Sequence, residues 1–186
     1  WAAVGAVPAQ LMSAEQRRIT LRDVPLAGCP PWLGVDRAIG AWAGWTRSST
    51  LSLDLSSGLL LVDAGTVLSI TVLSPDGEFV GGQLIPGYRL QLSAMTQGTE
   101  ALPETVFVAP GKEQFPKDTM SAMRRGVLQA MVSAVQDAQR ACGGLLWLCG
   151  GDAELLATEL RHSSPQLQLD PELQLRGLFD LLDASI

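Results

Sequence analysis

Residues 59–85 limit the possible folds more than any other stretch. Leu59 to Asp63 is a continuous apolar run that closes on an acid, and Gly65 and Thr66 interrupt it. Val67 to Leu73 resumes the strand pattern, and Phe79 to Ile85 adds a third run. Pro75-Asp76-Gly77 separates the second run from the third; proline presets the backbone of a turn and glycine accepts positive φ. The stretch predicts a three-stranded antiparallel meander, its third strand broken at Gly81-Gly82. Two glycines inside a strand weaken it, so they call for a bulge or for a close approach of ligand or backbone.

The flanking segments supply helices and one more strand. Trp1 to Val7 reads as a core strand ended by Pro8, and Ile19 to Val24 as another strand. The proline- and glycine-rich residues 25–34 read as a loop, and Asp36 to Trp45 as a short helix with Ile39, Trp42 and Ala43 at helical spacing. After the meander, Pro86-Gly87 precedes a helix over about Tyr88 to Gln97. Glu113 to Asp118 is a polar loop, and Asp118 or Thr119 caps a longer helix. Met120, Met123, Val127, Met131 and Val135 mark its inner face, and Gly143-Gly144 ends it. Leu145 to Cys149 is a buried strand, Asp152 opens a further helix, and Leu173 to Leu182 is the last. This order is mixed α/β without strict βαβ alternation. The chain begins at Trp1, on a segment that already reads as core, so its true start is expected upstream.

Composition narrows the function. The chain has 186 residues, 47% of them apolar, enough for a sizeable core, and a formal charge of −6 that argues against a nucleic-acid footprint. No apolar run is long enough to span a bilayer, and no secretory signal is visible. Cys29, Cys142 and Cys149 lack metal-type spacing, and their odd number argues against a disulfide framework. Free thiols in a reduced, cytoplasmic setting follow. His162 is the single histidine, which excludes a zinc site built on histidines.

Several short motifs could carry chemistry. In Asp63-Ala64-Gly65-Thr66, an acid ends a buried strand and a glycine lets the backbone turn so that N–H groups face an anion. The threonine adds a hydroxyl donor, and the aspartate can hold a charge-neutralising cation. Read alone, the tetrapeptide is equally a tight turn. Gly34-Val35-Asp36-Arg37 lies at a loop-to-helix junction. Asp36 is either a helix cap or a base that accepts a hydroxyl proton; Arg37 is either a surface ion-pair partner or a fork for a substrate carboxylate. Asp118-Thr119 opens a helix whose N-terminus favours an anion, or is only a cap. Gly150-Gly151-Asp152-Ala153 is a strand-to-helix turn that contacts a nucleotide or simply turns.

The ordered set is more specific than its members. Gly-x-Asp-Arg, Asp-Ala-Gly-Thr, the Gly81-to-Gly87 element, Leu102-Pro103, Thr119-x-x-Ala122-x-x-x-Gly126, Gly150-Gly151-Asp152-Ala153 and Leu175-x-Gly177-Leu178 occur in that order. From about Leu33 to the C-terminus, the chain resembles the type III pantothenate kinase family. The resemblance implies the acetate and sugar kinase, Hsp70 and actin superfold: two ribonuclease-H-like halves, the first (1–58) incomplete and the second spanning 59–186. It implies ATP-dependent phosphorylation of pantothenate, the first step of coenzyme A synthesis, with Mg2+ and a monovalent cation (K+ or NH4+), by a cytoplasmic homodimer that binds neither nucleic acid nor membrane.

Carried over by position, the resemblance makes Asp36 the proton acceptor. Gly34, Val35, Asp36 and Arg37 become one wall of the pantothenate site, and Thr119 reaches pantothenate as well. Thr66, with Gly65, meets the ATP phosphates, and Asp63 binds the monovalent cation. Three departures stand beside these. Nothing matches the family's opening Asp-x-Gly-Asn-Thr-like phosphate loop, so a chain starting at Trp1 is expected to turn over poorly. Thr71, two residues past Ser69, stands where most members carry an acid. Ala27 stands where a tyrosine often precedes Gly-x-Asp-Arg. A non-catalytic regulatory or binding relative on the same fold is the alternative.

Overall fold

The computed structural model describes residues 2, 18–104 and 106–183. Its elements are α1 (Val35–Thr50), β1 (Leu59–Ala64), β2 (Val67–Leu73), β3 (Phe79–Pro86), α2 (Tyr88–Gln97), α3 (Thr119–Cys142), β4 (Leu145–Cys149), α4 (Ala153–Leu160), β5 (Gln168–Leu169) and α5 (Leu173–Asp183). The strands form one sheet of order β3-β2-β1-β4-β5. β1 is antiparallel to β2 and parallel to β4, and β4 is parallel to β5. The expected meander over 59–85 is present.

Alternation along the strands sends successive side chains to opposite faces. Leu60, Val62, Ala64, Leu68, Ile70, Leu146 and Leu148 pack against residues of α2, α3 and α4. Leu59, Leu61, Leu73, Trp147 and Cys149 face the other way, onto Ala41 and Ala43 of α1 and Leu173 of α5. On that second face Trp147 Nε1 donates to Ser48 Oγ at 2.8 Å, so the indole N–H is satisfied inside the core. The same alternation turns Asp63, Ser69 and Thr71 toward α1 and α5, and this is what builds the site.

Two elements differ from expectation. Residues 19–24 are not a strand: Leu21–Asp23 is a 3-10 turn. The Asp23 carboxylate accepts from both the backbone N–H and the hydroxyl of Thr20, at 2.8 and 2.7 Å, and this local closure wins over a weak alternation. α1 does not stop near Trp45 but continues to Thr50. Ser48, Ser49 and Thr50 each donate a hydroxyl to the carbonyl four residues back, absorbing polar groups that would otherwise favour a turn. The two-residue β5 carries no strand signal of its own. The strand expected over Trp1 to Val7 lies outside the described residues, apart from Ala2.

Caps and turns follow the residue chemistry. Gly77 turns with φ of +79° between β2 and β3. The Asp118 carboxylate accepts from the Ser121 N–H at 2.9 Å, capping α3, and Gly143 ends that helix in the left-handed conformation. Along α3, Met123, Val127, Met131 and Val135 are buried as the spacing required, while Met120 is half-buried. Arg125 is an unforeseen polar member of the buried face. It forms a two-pronged pair with Glu159 of α4 and donates to Gln114, tying the loop before α3 to the helix layer. Cys29, Cys142 and Cys149 are free thiols. No helix among the described residues is long and apolar enough to cross a membrane.

Candidate active site

At the end of β1, the first turn of α1 and the β1–β2 turn enclose a cleft of about 510 Å³. Gly34, Asp36 and Arg37 line it from α1, Asp63, Gly65 and Thr66 from β1 and its turn, and Ser69 from β2, with Trp32 and Leu84 at the mouth. Two motifs more than twenty residues apart in sequence therefore share one cavity. Asp36 is not the helix cap: Gly34 holds that position, and Asp36 lies in the first turn, where the helix dipole favours its charge. Its Oδ1 accepts from the Arg37 backbone N–H at 2.8 Å.

Arg37 reaches from α1 across the sheet. Its Nε donates to Thr71 Oγ1 at 3.2 Å and its Nη2 to the Ile70 carbonyl at 3.3 Å. No carboxylate among the described residues forms an ion pair with it. Burial pulls its pKa down from the ordinary arginine value, and the neighbouring Asp36 opposes that. The guanidinium stays charged and half-buried without a salt-bridge partner among the described residues, a state that suits an incoming anion.

Asp63 is anchored by α5. Gln174 Nε2 donates to Asp63 Oδ2 at 2.9 Å. On the other side Gly150 turns from β4 toward α4 with φ of +89°, and a Cβ there would come within 2.3 Å of Asp63 Oδ1 and 2.7 Å of the Ala64 carbonyl. Glycine at 150 is thus demanded both by backbone conformation and by the carboxylate it abuts. Cys149, opposite Asp63 in register, is fully buried. Its thiol pKa is pushed well up by burial and then by Asp63, Asp170 and Asp36, which keeps it neutral beside the acids.

In the Asp63-to-Thr66 turn, the Gly65 N–H donates to the Val67 carbonyl at 3.3 Å, so in this state it serves the turn. Thr66 is exposed at the cleft and its hydroxyl has no partner among the described residues. Val35 lines no part of the cleft; its side chain packs into the core with Leu33, Ala38 and Ile39. Thr119 stands at the start of α3, the helix layered on the opposite face of the sheet, and is not among the lining residues.

Three contributors escaped the sequence reading. Gln174 sits one residue before the Leu175-x-Gly177-Leu178 motif, but only the α5–β1 packing reveals that it holds Asp63. Trp32 reads as a loop residue. Ser69 is paired in register with Asp63 and buried, and its Oγ has no hydrogen-bond partner among the described residues. Strand alternation puts it on the Asp63 face, which is the signal that could have found it.

A five-stranded sheet of order 3-2-1-4-5, with helices on both faces and an acid at the end of the first strand, is the ribonuclease-H-like unit of the acetate and sugar kinase, Hsp70 and actin superfold. The family model for type III pantothenate kinase matches residues 7–141. A type III pantothenate kinase of Synechococcus elongatus is 36% identical over 185 residues, covering 92% of this chain and 68% of that protein. One from Synechococcus sp. strain JA-3-3Ab is 35% identical over 184 residues, covering 95% and 72%. In fold, the chain is similar to a solved Campylobacter jejuni protein assigned to the Baf family of transcriptional activators. The TM-score is 0.61 at 23% identity, over 90% of this chain and 73% of that one. The chain belongs to the type III pantothenate kinase family, whose members use ATP.

Asp63 yields a pH prediction. Its pKa is raised above the ordinary 3.8, chiefly by burial and also by Asp36, while the Gln174 hydrogen bond opposes the rise. Just above pH 3.8 the folded state then holds a proton the unfolded chain has released, so this group's contribution to stability falls as pH rises through that window. Asp63→Asn retains an acceptor for Gln174 and removes the titration. The melting temperature of the variant relative to wild type is expected to climb from pH 3.8 toward neutrality. A difference that stays flat over this range contradicts the assignment.

Proposed function

We propose that this protein transfers the γ-phosphoryl group of ATP to the primary hydroxyl of pantothenate, giving 4'-phosphopantothenate for coenzyme A synthesis. The observation that carries this reading is the convergence of Asp36, Arg37, Asp63 and Thr66 on one cleft in a chain of this family. Arg37 takes the substrate carboxylate, since it is the cleft's unpaired cation. Asp36 accepts the hydroxyl proton as the new oxygen–phosphorus bond forms and the bond from phosphorus to the β–γ bridging oxygen breaks. Thr66 offers its hydroxyl to the phosphates. Such a reaction asks mainly for positioning and charge neutralisation.

Asp63 fits a monovalent cation. It offers one carboxylate with a raised pKa, its Oδ1 beside the Ala64 carbonyl across Gly150. Among the described residues there is no cluster of three or more acids, cysteines or histidines such as a dedicated multivalent site would use. Bound there, potassium or ammonium supplies positive charge near the phosphates and offsets the repulsion between Asp63 and Asp36. Mg2+ enters with ATP. The division into 1–58 and 59–186 and a cytoplasmic setting belong to the same reading. So does a homodimer: Thr119, remote from the cleft within one chain, contacts pantothenate if a second subunit brings it there.

Four measurements test this reading. Asp36→Asn keeps size and hydrogen bonding but cannot take the proton; kcat is expected to fall by about 10²–10⁴ with pantothenate binding nearly intact. Arg37→Lys keeps charge but loses the fork, and mainly raises the pantothenate KM. Near-normal kcat for Asp36→Asn sinks the base assignment. For the cation, potassium is expected to raise the melting temperature of wild type over a sodium control but not that of Asp63→Asn; an equal rise in both places the ion elsewhere. For the dimer, light scattering at micromolar concentration is expected to return twice the chain mass, and a monomer mass counts against it.

A further inference from the structure

Among the described residues, the hydrogen bonds that hold the Arg37 guanidinium all go to neutral groups. Its Nε meets the Thr71 hydroxyl and its Nη2 meets the Ile70 carbonyl, both on β2. Thr71 is fully buried, so its hydroxyl is no surface filler. The third wall is Gly82 of β3, the register partner of Thr71. A Cβ at Gly82 would lie 2.6 Å from Arg37 Nη2 and 2.0 Å from the Ile70 oxygen. Any other residue there must displace the guanidinium tip or the strand. One step further along, Val72 pairs with Gly81 but Leu73 with Phe79, so Val80 is bulged out, and the pair of glycines has two separate causes.

A neutral cradle differs from an ion pair in its consequence. A carboxylate at 71 would match the guanidinium fork and cancel its charge; a hydroxyl and a carbonyl fix direction and leave the charge for a ligand. We propose that Thr71 and Gly82 are positioning residues for Arg37: together they aim a guanidinium without a salt-bridge partner into the cleft and so set the affinity for a carboxylate-bearing substrate. This rests on the assignment of Arg37 to the pantothenate carboxylate made above. The role is in ground-state binding, because the carboxylate is remote from the hydroxyl that reacts.

The test is steady-state kinetics and pantothenate calorimetry on the full-length protein, comparing wild type with Thr71→Val, Thr71→Ser, Arg37→Ala and the Arg37→Ala, Thr71→Val double variant. Valine keeps the volume of threonine and removes the acceptor. The bond lost has a charged donor and a neutral acceptor, worth roughly tenfold or more, and its loss lets the fork wander from its aim. Thr71→Val is therefore expected to raise the pantothenate KM and Kd by about tenfold, with a much smaller effect on kcat and on the ATP KM. Thr71→Ser, which restores a hydroxyl, recovers most of the affinity. In the Arg37→Ala background, Thr71→Val adds nothing. A structural role alone would instead lower kcat and melting temperature and raise the KM of pantothenate and ATP alike, without serine rescue and equally in both backgrounds.

An unchanged pantothenate KM in a folded Thr71→Val protein overturns the proposal, as does a further loss in the Arg37→Ala background. If Thr71→Val fails to fold, Thr71→Ala, which also removes the hydroxyl, serves as the second variant. It is expected to raise the pantothenate KM while sparing that for ATP, and a wild-type KM there is equally fatal. Wild type that neither binds nor phosphorylates pantothenate defeats the function itself, whereas wild type that turns over beside an unaffected Thr71→Val defeats only the positioning role.

Discussion

β1 is hydrogen-bonded along both edges and covered by helices on both faces, and the rest of the molecule is arranged around that double burial. Leu59, Leu60, Leu61 and Val62 are all essentially inaccessible to solvent. Burying apolar surface is worth roughly 25 cal/mol per Å², so a strand with no polar face is stable only in the middle of a covered sheet. Its neighbours are then constrained. β2 returns antiparallel through a tight turn, and β4 arrives parallel after the long crossover through α2 and α3. The strand ends on Asp63, which the same packing carries into a half-buried position.

That position disfavours a charge, and the surroundings show it. The Asp63 carboxyl is held above its usual range, Cys149 beside it is kept neutral, and Ser69 opposite it has an unused hydroxyl. Arg37 is charged and unpaired a strand away. Perturbed groups that cluster around one cleft mark the part of a molecule shaped for something other than stability. The Arg125–Glu159–Gln114 network makes the contrast clear: there the two terminal nitrogens of a buried guanidinium meet a carboxylate and an amide oxygen, and its charge is spent internally.

Most of the architecture could be read directly. The meander, the capped helix α3 and the buried strand β4 follow from strong local patterns, namely continuous apolar runs, a proline–glycine turn, a cap and a left-handed glycine. The weaker patterns went astray where local hydrogen bonds competed with periodicity. Thr20 and Asp23 closed a turn on a segment that alternates like a strand, and three hydroxyls of α1 prolonged a helix past its apolar stretch. β5 is too short to leave a pattern and exists because Leu169 and Gln168 align with β4.

For the site, residue order and spacing determined the family, the acids Asp36 and Asp63, the arginine and the turn at Gly65-Thr66, because each carries a chemistry that its type and neighbours announce. What those residues touch was decided only by the tertiary structure. Gln174 reaches Asp63 across 111 residues of chain, and Arg37 meets Thr71 across 34. Gly82 is small because the Ile70 carbonyl and a guanidinium from another element occupy the space beside it. Such contacts leave no trace in local sequence, since their energetics depend on which strand faces which helix, and that is set by the packing of the whole sheet.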